Sequence, residues 1–157
     1  MVRLEPMTEA EFRASLDQAT ARRAAEQVDR GLWTPEAAAE ASRVDFAELL
    51  PQGFQTPAKR FRKVVDERSG TRVGETWYSV EEKGGRVQFW VDWIAIDAPF
   101  RRKGYATGAL RLLASEALKL GADRLGLHVF SDNKGALALY SKLGFEPTSL
   151  RMAKRLP

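Results

Sequence analysis

Phe89-Trp-Val-Asp-Trp-Ile-Ala-Ile96, followed by Asp97-Ala-Pro99 and then Phe100-Arg-Arg-Lys-Gly-Tyr-Ala-Thr-Gly108, fixes how the chain is read. Both alternations of the first eight residues are apolar, Val91/Trp93/Ala95 and Trp90/Ile94/Ile96. This predicts a central strand covered on both faces, with Asp92 as its one charged interior residue. Pro99 cannot donate to a ladder and Gly104 accepts a backbone conformation that a Cβ resists, so the strand ends in a sharp turn. Beyond Gly104, Ala106, Leu110, Leu113, Ala114, Ala117 and Leu118 recur at three and four, the spacing of an amphipathic helix about four turns long. The first turn of a helix presents unpaired N–H groups and partial positive charge, and Arg101, Arg102 and Lys103 stand just before this one. The turn reads as a phosphate seat, with a solvated basic turn as the plainer alternative.

The 157 residues, 44% hydrophobic and 29% charged, suit one globular domain spanning 1–157, with a helical region at 1–60 and a sheet with the binding core at 61–157. The sequence contains no cysteine, which excludes disulfides, thiolate metal sites and a cysteine nucleophile, and no metal-ligand cluster is visible. Met1-Val-Arg-Leu-Glu-Pro6 lacks an apolar leader and no run reaches the ~18 residues of a membrane span, so a cytoplasmic protein without a membrane partner is expected. Residues 98–157 carry 11 Lys/Arg against 4 Asp/Glu, whereas residues 1–60 carry 8 against 10. The positive charge thus lies in the half with the basic turn. It is spread over several elements without a nucleic-acid motif, so nucleic acid is not expected as a partner.

Residues 1–6 fit a short edge strand. Thr8-Glu-Ala-Glu11 has the form of a capping box and opens a helix with Phe12, Leu16, Ala19, Ala24 and Val28 on its buried stripe, ending near Gly31. Thr34-Pro35 starts a second helix to about Leu50, with Ala37, Ala41, Val44 and Leu49 as its apolar face. Phe61–Val65 and Arg72–Val80, joined by the turn Asp66–Gly70, then lead into the Phe89–Ile96 strand as an antiparallel meander. A crossover helix brings in a parallel strand at Arg124–Phe130, a short helix follows at Lys134–Leu143, and Ser149–Lys154 is expected as a last strand. The whole is an α/β (α+β) fold: a mixed, mostly antiparallel sheet with splayed parallel strands, flanked by about four helices.

Asn133 and Tyr140 lie seven residues apart on the short helix and therefore on one face, although Asn133 also suits an N-cap and Tyr140 a core aromatic. Ile94-Ala-Ile96, Arg101-x-x-Gly104-x-Ala106, Leu127-His-Val129, Asn133-x-x-Ala136-x-x-Leu139-Tyr140 and Leu143-Gly-Phe145 together resemble the GNAT superfamily of acetyl-CoA-dependent N-acyltransferases, over about half the chain. The resemblance implies that coenzyme A is bound by Arg101, Arg102, Lys103, Gly104, Tyr105, Ala106 and Thr107 at its diphosphate. It further implies that Ile94, Ala95 and Ile96 bond the pantetheine arm and that Asn133 also contacts the cofactor. Tyr140 matches the family's frequent general acid. Ala106 replaces a commoner glycine. His128, the sole histidine, stands where asparagine is more usual and is read as a strand residue.

Acyl transfer to an amine of pKa ~10.4 needs a base, for which Asp92 and Glu75 are the candidates. Asp92 lies an even number of residues from Ile94 and Ile96 and so is expected on their face, its pKa raised by burial; a charge partner within the sheet is the competing role. Glu75 stands on a strand of open register. Acetyl-CoA as cofactor, an amine-bearing acceptor, direct transfer in a ternary complex and, among assemblies, a homodimer complete the expectation. A non-catalytic acyl-CoA sensor and a Rossmann-type nucleotide enzyme are the rivals. The latter is disfavoured by Ala106 and Ala109 at the would-be glycines.

Overall fold

The computed structural model describes residues 1–157. It resolves into two compact units, 1–126 and 127–157. The first contains β1 (Val2–Pro6), α1 (Glu9–Asp29), α2 (Pro35–Leu49), β2 (Lys59–Asp66), β3 (Arg72–Lys83), β4 (Arg86–Ile96) and α3 (Tyr105–Lys119), and reaches into β5 (Leu125–Leu127). The sheet order is β1-β2-β3-β4-β5; β1 to β4 are antiparallel neighbours, and β5, which α3 leads to, makes the one parallel pair. The expected mixed sheet is therefore present. Its last strand is three residues long where seven were expected.

The two faces of the sheet are covered by different helices. α1 and α2 bury Phe12, Ala19, Phe46 and Leu50 against Phe61 and Trp77. The opposite face joins Val64 and Val73 to Ala109 of α3, with Ile94, Ile96, Phe100 and Tyr105 around them. α1 starts in the predicted capping box: Thr8 Oγ1 accepts the Glu11 N–H at 3.2 Å and Glu11 Oε2 accepts the Thr8 N–H at 2.8 Å. That Thr8 amide, with Lys63, holds the Glu11 carboxyl below the usual range. α2 turns a different face inward from the one expected. Ala38, Ser42 and Phe46 are buried while Val44 is 46% exposed. The small residues let the helices approach, and Ser42 donates to the Thr20 carbonyl at 2.7 Å. On α3 the stripe is Ala109, Leu110, Leu113 and Ala117, and Leu118 points to solvent.

Two bulges break the ladder, between Val64 and Val65 and between Trp77 and Tyr78. Gly74 lies beside the end of β4, where a Cβ would come within 2.3 Å of the Ala95 carbonyl oxygen and 3.0 Å of Ile96 Cα. No rotamer can relieve a backbone overlap.

In the second unit α4 (Lys134–Lys142) is capped by Asn133. Residues 149–154, expected as a strand, have no regular structure, and Leu150 and Met152 are exposed. Pro147 comes shortly before this segment and no ladder partner is assigned to it.

Gly74→Ala is predicted to cost ~3 kcal/mol, read as a lower urea midpoint with an unchanged slope. An unaltered midpoint would mean that β3 and β4 part easily.

Candidate active site

Between β4 and α3 the chain makes one 3-10 turn, Ala98–Phe100, and then takes positive φ at Arg102 (62°) and at Gly104 (84°). Gly104 opens α3 in the left-handed conformation, and no side chain bonds to the helix start. α1 and α4 are capped by Thr8 and Asn133, whereas Thr34, expected to cap α2, makes no side-chain bond to its helix. The first main-chain bond into α3 runs from Gly108 N–H to Gly104 O at 3.0 Å, which leaves the N–H groups of Tyr105, Ala106 and Thr107 without an acceptor in the protein. Arg101 Nε–H donates to the Ile96 carbonyl at 2.9 Å, and Lys103 Nζ lies 5.9 Å from the centre of the Phe100 ring. Arg102 is exposed.

Tyr105 contributes main chain only. Its ring meets Phe100 edge-on at 6.4 Å and its hydroxyl donates to Asp66 at the β2–β3 turn. The shared proton raises the phenol pKa and, with the Arg68 and Ser69 amides, lowers that of Asp66. The first turn of α3 is thereby fastened to the sheet from its inner side.

Beside the end of β4 opens a cleft of about 210 Å³ lined by Gln18 and Arg22 of α1, Glu75, Trp93, Ala95, and the run Ile96, Asp97, Ala98 and Arg101. Glu75, whose facing the sequence left open, belongs here because the register sets it opposite Ala95. Its side chain is 3% exposed, accepting from Arg72 Nη2 at 2.7 Å and from the Trp93 indole N–H at 3.0 Å. Arg72 also bridges to Asp97 at 3.1 Å. The Arg22 guanidinium lies over the Trp93 ring, 5.4 Å from its centre. Ile94 packs in the core on the α3 side, so of the three strand residues Ala95 and Ile96 reach the cleft.

Asp92 is not on the face expected for it. Trp77 pairs with Trp93 and Tyr78 with Val91, so Asp92 is the extra residue of a bulge, and one extra residue inverts the alternation. Its carboxylate turns away from Ile94 and Ile96 toward Ser79 (3.0 Å) and the Lys59 ammonium (3.1 Å), in an ion pair whose side chains are 11% and 6% exposed. It does not line the cleft. The competing role, a charge partner within the sheet, describes this geometry.

In the second unit, Asn133 Oδ1 accepts the Ala136 N–H at 3.2 Å, which leaves its two amide hydrogens available. Tyr140 is half-buried with its ring 5.5 Å from Phe145, and burial raises its phenol pKa. His128 is exposed against Phe130.

The sequence did not single out Gln18, Arg22, Trp93 or Asp97. Arg22 and Glu26 carry the four-residue spacing of a solvated helical pair, and that pair is indeed formed at 2.8 Å. What brings Arg22 to the cleft is the placement of α1 on the sheet, which no local pattern records.

Residues 24–145 match the acetyltransferase (GNAT) family. The uncharacterized N-acetyltransferase YycN of Bacillus subtilis is 35% identical over 156 residues, 99% of each chain. YdgE of the same organism, also an uncharacterized N-acetyltransferase, is 33% identical over 98% of this chain and 97% of its own. The crystal structure of YycN matches with a TM-score of 0.92 at 34% identity, covering 100% of this chain and 99% of that one.

Asp92→Asn leaves the Lys59 ammonium buried without a counter-charge, and is predicted to destabilise the fold by about 3 kcal/mol in urea denaturation. A stable variant with lost turnover would instead restore Asp92 to the chemistry.

Proposed function

The chain belongs to the acetyltransferase (GNAT) family and is an acyltransferase, and on that premise we propose that it moves an acetyl group from acetyl-CoA to a primary amine by direct transfer. The observation that carries this reading is the uncapped start of α3 just beyond the end of β4. Three main-chain donors and the positive end of a helix dipole meet where a diphosphate would sit, with Arg101, Arg102 and Lys103 just before them in the chain. The residues fit the group: α3 gains from an outside anion what Thr8 gives α1. β5 is three residues long and its Gly126 lies against the Trp90 ring, so pairing on that side of β4 stops short of Ile94–Ile96. Apart from the Ile96 carbonyl, which accepts from Arg101, this leaves backbone groups on that edge to bond an amide-bearing arm. Asn133 keeps two amide donors, and the family resemblance is what assigns it a cofactor contact.

When bound, acetyl-CoA supplies an acyl group activated as a thioester. The protein's own work is to deprotonate and aim the amine. Glu75 is the base we assign, because it is the carboxylate that is both buried and in the cleft. The Trp93 indole and Arg72 fix its orientation, and Arg72 is shared with Asp97. Asp92, bound by Lys59, is released from that role. Tyr140 Oη is assigned as the acid on its chemistry, since a phenol with a raised pKa keeps its proton throughout the neutral range.

Coenzyme A is expected to raise the melting temperature of the protein and Gly104→Glu to abolish the rise. Tyr140→Phe and Glu75→Gln should keep it while slowing amine acetylation by ~10²-fold or more. A shift that persists in Gly104→Glu would place the cofactor elsewhere, and a shift without turnover of any amine would identify a binding protein.

A further inference from the structure

Arg22 is poised in a way that its ion pair does not explain. Its Nε is held by Glu26 at 2.8 Å, but both side chains are about 40% exposed, and a pair of that kind contributes little. The guanidinium also lies over the Trp93 ring, its central carbon 5.4 Å from the ring centre, a cation–π contact. With Nε on Glu26, the two Nη groups bond nothing in the protein and remain as donors for a carboxylate or phosphate. The edge of the same indole donates to Glu75 at 3.0 Å. One ring therefore separates a site for a cation from a site for an anion, and both line the same cleft. Glu75 does not consume the Arg22 charge, because Arg72 already answers it at 2.7 Å.

We infer that the acceptor carries an anionic group, carboxylate or phosphate, a short chain away from its amine, and that Arg22 is the residue that selects it. This rests on the acetyltransferase reading, with the amine at Glu75. An anion bound equally before and during transfer lowers KM and leaves kcat alone, which distinguishes the role of Arg22 from that of Glu75.

The test compares initial rates with 5-aminopentanoate, 4-aminobutyl phosphate, pentylamine and cadaverine, all at saturating acetyl-CoA. One or both anion-bearing amines should exceed pentylamine in kcat/KM by about tenfold or more, with the carboxylate and phosphate arms showing which anion is preferred; tenfold is worth about 1.4 kcal/mol. Arg22→Gln should reduce that preference to within about twofold, the loss falling on KM of the anionic acceptor. Arg22→Lys, which keeps the charge without the two Nη donors, should recover only part of it. Pentylamine or cadaverine acetylated as well as the anionic amines, or a preference that survives Arg22→Gln, would overturn the inference and leave the acetyltransferase intact. No acetylation of any amine, with the coenzyme A thermal shift still present, would overturn the functional reading and this inference with it.

Discussion

An α-helix that begins without a cap leaves its first N–H groups to whatever lies outside the fold, and in this chain α3 begins that way. This start is built rather than accidental. Arg102 and Gly104 both take the left-handed conformation to swing the chain from β4 into the helix, Pro99 ends the strand beforehand, and Tyr105 anchors the first turn inward through Asp66. With the side chain of Tyr105 committed to the core, the backbone of the turn faces outward by default. The elements downstream of this constraint, the end of β4 and the short β5, are arranged so that the strand's polar edge and the helix's open donors are close in sequence.

The bulge in β4 is the second determinant, because it decides which side chains share a face. Without it, Asp92 would project with Ile94 and Ile96 into the α3-side core as a charge among aliphatics. With it, Asp92 meets Lys59 and Ser79 on the other side, the side on which Trp93 faces α1, its indole N–H held to Glu75 and its ring beneath Arg22. Gly74 lets the two strands close up at that level. The inserted residue thus keeps a charge out of the α3-side core and the missing Cβ lets β3 and β4 close up beside the cleft, whose charged groups come from α1, β3 and the turn after β4.

Much of this was legible beforehand. The strand at 89–96, the stop at Pro99, the Gly104 turn and the capping box at Thr8 each have a local cause and stand where their residues predict, although the strand is fourth of five and Trp90 is 45% exposed where cover on both faces was expected. The family resemblance, drawn from short motifs between Ile94 and Phe145, agrees with the match over residues 24–145. What failed was whatever depends on register or on partners distant in sequence. Strict alternation put Asp92 on the wrong face because a bulge leaves no mark in the residues flanking it. Glu75 could not be placed because its orientation is set by the pairing with Ala95, and Arg22 looked like half of a solvated pair because it is one, in addition to lying on Trp93. α2 was turned because Ala38 and Ser42 are too small and too polar to register as a buried face.

The central claim concerns three amides, and it is tested most directly by observing them. In a ¹⁵N-labelled sample titrated with coenzyme A, the account predicts that the resonances of Tyr105, Ala106 and Thr107 move together and downfield, as N–H groups do on gaining an anionic acceptor, with a much smaller response to pantetheine lacking the diphosphate. Saturable binding of coenzyme A that leaves those three resonances in place would contradict it.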